Sequence, residues 1–468
     1  MAKETTRAPI VCVLGHVDHG KTTLLDAIRK TSVAAREAGG ITQSIGASVV
    51  NTKESKKITF IDTPGHAAFS KMRSRGANVA DIAILVVAAE DGIKPQTQEA
   101  LDLIKKAAIP FIVAVTKIDL PSADPDMVRS QLESQEVAFE GRGGEIPFVL
   151  VSGKTGKGVE DLLSTISLLS EVKEVKGSPE APLEAVVIET QKDKRGSLVS
   201  AVVRDGQIRV GEMIYAEGNA TKVRGLFNDK AESVKVVFPG EPVQILGFET
   251  LPSVGSGIKS DQGSSGGSIA EAKVKKFSYR LQKGQIPVII KAKNAGALEA
   301  VIMNLPKEIV VVDSGVGDIF ESDVLLAKSS SVGRILAFES KASPNVSKLA
   351  VAEGVRIEPF KIIYELFQRV DEILHKGDLE ILGKAEVIAS FPFNNKKIAG
   401  CRVVNGKISK GDNLLLMRGE KETGKIKALS LKKQKQEISE AKAGEEFGLL
   451  FEPQLDFQIG DVVVSVAK

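Results

Sequence analysis

The chain has 468 residues, 43% of them hydrophobic, with 63 Lys and Arg against 60 Asp and Glu for a net charge of +3. That length predicts three or four domains with cores of their own, and the near balance of charge excludes a global basic field, so any nucleic-acid contact has to come from local patches. Two cysteines, Cys12 and Cys401, exclude a disulfide framework and fit a reducing compartment, and Trp is absent with only three Tyr, which argues against aromatic platforms for single strands.

No apolar run reaches the ~18–20 residues needed to cross a bilayer, and the first predicted strand starts by Pro9, which leaves no room for a leader. A cytoplasmic protein with no membrane contact is the expectation. The apolar run 9–14 predicts a buried strand, and 23–28 has the spacing of a helix with its leucines inward. Between them, Gly15-His16-Val17-Asp18-His19-Gly20-Lys21-Thr22 sets Gly, four residues, then Gly-Lys-Thr, the pattern and the context of a phosphate-binding loop.

Each residue type there has its own reason. Gly15 and Gly20 let backbone N–H groups point at phosphate oxygens, helped by the positive end of the following helix, and the phosphate-binding set runs from Gly15 to Thr23. Lys21 can reach the β- and γ-phosphates as a compact charge, and the Thr22 hydroxyl can ligate Mg²⁺. A Gly-rich turn of a Rossmann-like domain is the plain alternative, and it leaves the downstream motifs unexplained.

Residues 37–47 are Gly-rich and polar and predict a mobile loop, followed by strands at 48–50 and 57–61. The second strand delivers Asp62-Thr63-Pro64-Gly65-His66, where a carboxylate at a strand end and a Pro-Gly turn suit a Mg²⁺-linked acid and a γ-phosphate-sensing Gly65 N–H. Runs 82–88, 111–115 and 148–151 predict three further buried strands. The last two end in Thr116-Lys117-Ile118-Asp119 and Ser152-Gly153-Lys154, which look like the base-reading motifs of GTPases. There an Asp carboxylate accepts from guanine N1 and N2, so Asp119 predicts GTP over ATP; Thr116 stands where the pattern usually has Asn. These motifs in order predict a P-loop, doubly wound α/β domain.

The second half contains an internal repeat. Val202-Val203-Arg204-Asp205-Gly206-Gln207-Ile208-Arg209-Val210-Gly211 parallels Val403-Val404-Asn405-Gly406-Lys407-Ile408-Ser409-Lys410-Gly411, and Gly-Glu follows 29 and 33 residues after the closing glycines, at Gly240 and Gly444. Alternating apolar residues and Gly turns around both copies predict two small antiparallel β-barrels. The Gly/Ser-rich stretch 251–270 predicts a linker, and residues 284–360 a small α/β/α domain with a spacing role. Ile362, Ile363, Leu366, Phe367, Val370, Ile373 and Leu374 follow helical spacing, for a helix either extended between domains or packed on one of them. The expected division is a P-loop domain at 1–178, a β-barrel at 179–268, the α/β/α domain at 269–360, the connector helix at 361–377 and a second barrel at 378–468.

Taken with Gly39-Gly40-Ile41-Thr42-Gln43-Ser44-Ile45-Gly46-Ala47 and Pro64-Gly65-His66-Ala67-Ala68-Phe69-Ser70-Lys71-Met72-Arg73-Ser74-Arg75-Gly76-Ala77, the loop and Asp62 motifs resemble the translational GTPases, and among them bacterial translation initiation factor 2. The likeness continues through Val288-Ile289-Ile290-Lys291-Ala292, Ser314-Gly315-Val316-Gly317-Asp318, Lys361-Ile362-Ile363-Tyr364 and Ala399-Gly400-Cys401-Arg402-Val403. It implies that Thr42 joins Thr22 and Asp62 in holding Mg²⁺ with GTP, and that His66 positions the attacking water. His16 and His19 are read as loop packing.

The resemblance further implies ribosomal subunits as partners, a monomer, and a last barrel that holds the formylmethionyl end of initiator tRNA, with Cys401, Arg402, Lys432, Lys433 and Phe447 as candidates. On charge alone, Lys396, Lys397, Lys407, Lys410, Lys425, Lys427 and Lys435, diluted by Glu420, Glu422, Glu437 and Glu440, read as a solvated face. Departures from the family pattern are Thr116, Ser44 for His, Gly153 for Ala, Phe447 where a second Cys is common, and no long extension before residue 1, expected for a shortened lineage or a truncated chain. The competing readings are another tRNA-delivering translational GTPase, against which the α/β/α domain between two barrels speaks since elongation factor Tu has its barrels in succession, and a ribosome-binding GTP sensor without turnover.

Overall fold

A computed structural model describes residues 5–31, 42–54, 56–261, 285–330, 332–376, 381–393, 396–419, 421–433 and 436–466. The chain divides into two compact units, Met1–Phe367 and Gln368–Lys468.

The first unit opens with β1 (Ile10–Gly15), α1 (Lys21–Arg29), β2 (Gly46–Asn51), β3 (Lys57–Asp62), α2 (Ser70–Val79), β4 (Ile82–Ala88), α3 (Pro95–Ala107), β5 (Phe111–Thr116), α4 (Pro125–Glu133), β6 (Phe148–Leu150) and α5 (Val159–Val172). The sheet order is β2-β3-β1-β4-β5-β6, parallel except for β2 on β3. Every residue of β1 and β4 is buried, as a parallel strand covered by helices on both faces requires. Ile10, Cys12 and Leu14 point into one core with Leu101 and Ile104, whereas Val11 and Val13 point into another with Leu24 and Leu162. This doubly wound order sets the ends of β1, β3, β5 and β6 along one rim, where such sheets bind ligands.

A barrel of antiparallel strands follows: β7 (Glu184–Asp193), β8 (Gly196–Asp205), β9 (Met213–Ala216), β10 (Asn219–Lys222), β11 (Gly225–Phe227), β12 (Ser233–Val234), β13 (Pro242–Leu246) and β14 (Gly257–Lys259), in the order β10-β9-β14-β7-β8-β13-β11-β12. The alternation in β8 is legible: Val199, Ala201 and Val203 enter the barrel core. The stretch expected to be linker is corrected in part, because β14 lies within it and pairs Gly257 with Val186. Glycine and serine content signals a linker by composition only, while a strand needs backbone groups alone. Residues 262–270 of that stretch, and 37–41 of the expected mobile loop, lie outside the described residues.

Next come β15 (Ile286–Ala292), α6 (Ala295–Met303), β16 (Ile309–Val316), α7 (Glu321–Ser329), β17 (Arg334–Phe338), α8 (Pro344–Ala352) and β18 (Arg356–Phe360), a four-stranded parallel sheet ordered β16-β15-β17-β18. Helix α6 docks on the first domain: Glu299 accepts from Lys71 at 2.7 Å and pairs with Arg75 at 2.6 Å, both on α2. Helix α9 (Ile363–Lys376) contains the boundary between the two units.

The second unit is a barrel built from β19 (Ile381–Phe393), β20 (Lys396–Ser409), β21 (Asn413–Arg418), β22 (Lys421–Lys433), β23 (Glu440–Lys442), β24 (Glu446–Glu452) and β25 (Val462–Val466). The order β19-β25-β21-β22-β24-β20 returns to β19 through the β19–β20 pairing, so six strands close on themselves and leave no edge.

Candidate nucleotide site and the relatives of the chain

The turn from β1 to α1 bends where the sequence is permissive, with positive φ at Asp18 (62°) and Gly20 (81°). It frames a cavity of about 340 Å³ lined by Val17, Asp18, Gly20, Lys21, Thr22, Thr23, Thr42, Gly65, His66, Thr116, Lys117, Asp119, Leu120, Gly153 and Lys154. Gly15, His16, His19, Asp62 and Ser152 support this wall without lining it.

Lys21 is buried, and its Nζ donates to the carbonyls of Gly15 (3.0 Å) and His16 (2.5 Å). Burial pulls its pKa down to about 8 against the opposing charge of Asp62, so a multiply charged anion in the cavity would stabilise the ammonium. Gly65 sits on the same ammonium: a Cβ there would collide with Lys21 Nζ and lie 3.1 Å from Val17 N.

The hydroxyls of Thr22 and Thr42 are 2.8 Å apart. Asp62, at the end of β3, is buried with Oδ1 lacking a partner, and burial raises its carboxyl to about 6. The two hydroxyls at the cavity wall and the unsatisfied carboxylate at the end of β3 are all oxygen donors, the chemistry that suits a hard divalent cation.

His66 is buried, its Nδ1 accepts from Ala68 N at 2.9 Å, and its Nε2 has no partner. Burial, with Arg73 nearby, holds its pKa below the usual histidine value. The fully buried Arg73 fixes the Pro64–His66 turn by donating to the carbonyls of Pro64 (3.1 Å) and His66 (2.5 Å) and to both oxygens of Glu99 at 2.7 Å. His16 and His19 pack edge to face at 4.9 Å, and burial lowers the His19 pKa to about 4, in keeping with loop packing.

At the other end of the cavity, Asp119 Oδ1 accepts from Ser152 Oγ at 2.7 Å, which holds its carboxyl below the usual range and leaves Oδ2 available. Lys117 is anchored by Glu90 at 2.6 Å. Thr116 donates from Oγ1 to the carbonyl of His19 at 2.6 Å, so the short residue standing for Asn ties β5 directly to the phosphate loop. A Cβ on Gly153 would lie 2.9 Å from Leu24 N and Thr23 O, which explains glycine in place of alanine.

Sequence reasoning singled out neither Gln43 nor Tyr364. Gln43 Nε2 donates to Lys361 O at 2.8 Å, its Oε1 accepts from Ile363 N at 3.1 Å, and the Tyr364 ring stacks on His66 with centroids 4.0 Å apart. Both lie in motifs that carry the resemblance, but nothing local in the sequence reports a contact 320 residues long.

In the second unit Cys401 and Phe447 face each other across β20 and β24 inside the barrel core, so they do not present a surface. Burial pushes the Cys401 thiol up to about 12. Arg402 pairs with Glu446 at 2.5 Å and Lys433 with Glu445 at 2.7 Å, both exposed, and Lys432 is exposed on β22. Lys397, Lys407 and Lys410 pair with Asp456, Glu440 and Glu437. Among the described residues, Lys425 and Lys427 form no ion pair. Glu420 and Lys435, and the side chains of Lys396 and Glu422, lie outside what is described.

Known proteins match this arrangement in segments. The Elongation factor Tu GTP binding domain matches residues 6–171, Elongation factor G domain 2 matches 182–261 and Translation-initiation factor 2 matches 266–371. The chain is 40% identical, over 98% of its length, to translation initiation factor IF-2 of Hyphomonas neptunium and to that of Aquifex aeolicus, of which it spans 58% and 60%. It spans, that is, less than two thirds of these curated relatives. A crystal structure of GDP-bound aIF5B from Aeropyrum pernix is 30% identical, covering 99% of this chain and 92% of that one, with a TM-score of 0.47. With relatives of one name matched over nearly all of its residues, the chain belongs to the translation-initiation factor 2 family.

Proposed function

We propose that this chain binds GTP in the cavity between Lys21 and Asp119, hydrolyses it on the ribosome, and carries formylmethionyl initiator tRNA into subunit joining as a cytoplasmic monomer. The observation that carries the reading is the convergence of Lys21, the Thr22–Thr42 hydroxyl pair and the Gly65–His66 turn at one end of a single cavity, with the Ser152-held carboxylate of Asp119 at the other. Asp119 accepts from guanine N1 and N2, a pairing adenine lacks, and the Lys117 stem covers the base. Lys21 and the loop N–H groups hold the phosphates. Thr22, Thr42 and Asp62 would hold Mg²⁺, which neutralises charge on the β- and γ-oxygens. His66 orients the water that attacks the γ-phosphorus as the bond to the β–γ bridging oxygen breaks, and the Gly65 N–H meets the γ-phosphate.

Among tRNA-delivering GTPases, the parallel sheet between two barrels favours an initiation factor over an elongation type. In the last barrel, Arg402, Lys432 and Lys433 are the solvent-facing candidates for tRNA, while Cys401 and Phe447 shape the strands that carry them.

The test uses the full chain: GTP turnover with and without small and large ribosomal subunits, and binding of formylated against unformylated methionyl initiator tRNA over a salt series. Multiple turnover that needs ribosomes, with tighter binding of the formylated tRNA at every salt, is expected. Binding without turnover would leave the sensor reading. Equal, steeply salt-dependent binding of both tRNAs would mean that only phosphates are read.

A further inference from the structure

We propose that Tyr364 is a positioning residue for His66, holding the imidazole in an orientation that cannot take a proton from water until Tyr364 is drawn off. The inference rests on the reading of His66 as the group that orients the attacking water, and it deepens that reading by naming what restrains it.

The geometry fixes both the plane and the tautomer of the ring. Tyr364 stacks on it with centroids 4.0 Å apart and 49° between planes, and Phe69 meets it edge on at 5.9 Å. A backbone N–H can only donate, so the Ala68 bond makes Nδ1 the acceptor and leaves the proton of the neutral ring on Nε2. The one nitrogen without a partner is therefore a donor, unable to accept a proton from water. Turning Nε2 into an acceptor requires giving up the Ala68 bond, and the stacked Tyr364 stands against that turn.

Core packing does not account for the contact. Tyr364 is 53% exposed and contributes little to any apolar cluster, yet it is aimed at His66 beside the cavity. Its place is set by Gln43, whose amide grips Lys361 O and Ile363 N, the backbone just before it. Gln43 adjoins Thr42, so a change in the Thr42 segment when nucleotide is bound or cleaved is transmitted to Tyr364 through two hydrogen bonds. The restraint on His66 thus reports the state of the same site that His66 serves.

The test compares wild type, Tyr364→Ala and Tyr364→Phe in ribosome-free, single-turnover GTP hydrolysis by the full chain, with ¹⁵N spectra of the histidine imidazoles. Tyr364→Ala is expected to hydrolyse GTP about 2- to 10-fold faster, the span one aromatic pair supports, with GTP affinity unchanged. The His66 nitrogens should lose the signature of a single Nε2–H tautomer, and Tyr364→Phe, which keeps the ring, should restore both readouts. A rate no faster than wild type with the tautomer intact overturns the proposal. Wild-type rates in His66→Ala would sink the role of His66 instead, and the imidazole signature of Tyr364→Ala still decides whether Tyr364 fixes the ring.

Discussion

Thr22 and Thr42, twenty residues apart, bring their hydroxyl oxygens to 2.8 Å at the wall of one cavity. Thr22 is anchored in α1, whereas Thr42 sits on the segment entering β2, so the pair joins a fixed element to the stretch that Gln43 links to Lys361 and Ile363. The Thr42 hydroxyl should matter most when a γ-phosphate and Mg²⁺ are both present. Thr42→Ala is expected to weaken GTP binding by about 10- to 100-fold with little effect on GDP, and Thr22→Ala to weaken both. Calorimetric titration with each nucleotide, with and without Mg²⁺, checks this; equal losses for GTP and GDP in Thr42→Ala would contradict it.

Guanine selection should reside in one carboxylate. Ser152 occupies Asp119 Oδ1 and keeps the group ionised, so Asp119→Asn replaces an acceptor by a donor facing the guanine N2 amine. GTP binding should fall by at least ~10²-fold, and binding of the xanthine nucleotide, whose 2-oxo group accepts, should appear. Thr116→Val removes instead the bond to the His19 carbonyl while keeping the shape. An orphaned buried carbonyl costs about 1–3 kcal/mol, so melting temperature and affinity for all guanine nucleotides should drop together.

His66→Ala should leave GTP binding intact and lower ribosome-stimulated hydrolysis by ~10²–10⁴-fold, the usual loss for a positioned proton-transfer or water-orienting group. Arg73→Lys acts one step further out. A lysine cannot reproduce the fork to Pro64 O, His66 O and Glu99, so the turn loosens and hydrolysis should fall without loss of nucleotide. Pre-steady-state hydrolysis against nucleotide affinity separates the two; unchanged hydrolysis in His66→Ala would remove its assigned role.

The places of Lys21 and Thr22 at the start of α1, of Asp62 at the end of β3 and of Asp119 just past β5 were legible because each depends on neighbouring residues: a strand, a turn and a helix in sequence dictate where they go. The repeat at Val202 and Val403 announced two barrels for the same reason, since alternation along a strand is local. What stayed hidden depends on distant pairing. Composition made 251–270 a linker, but β14 needs only the partner Val186; cysteine, arginine and lysines grouped as one tRNA patch part company once pleating sends Cys401 inward and Arg402 outward. The Gln43 and Tyr364 contacts join α9 to the site across some 320 residues, a relation no motif encodes.

A pH effect on stability should arise away from the cavity, at Glu189 on β7. Its Oε1 accepts from Thr190 N (2.8 Å) and Gly296 N (3.1 Å) at the start of α6, while the buried Oε2 has no partner. Burial pushes the carboxyl from its ordinary 4.5 up to about 7, and Arg75, already paired with Glu299 at 2.6 Å, offsets this only in part. Between those values the folded chain keeps a proton that the unfolded chain releases, so stability falls as pH rises from about 4.5 and the loss is complete above about 7. Glu189→Gln keeps an acceptor for the two N–H groups and abolishes the charge. Its unfolding free energy should match wild type near the acid end of that window and exceed it above the window, by at most about 3 kcal/mol. Chemical denaturation of both proteins on either side of the window measures the difference. A variant less stable than wild type above the window would instead make Glu189 a working ion-pair partner of Arg75, holding β7 to α2 through charge.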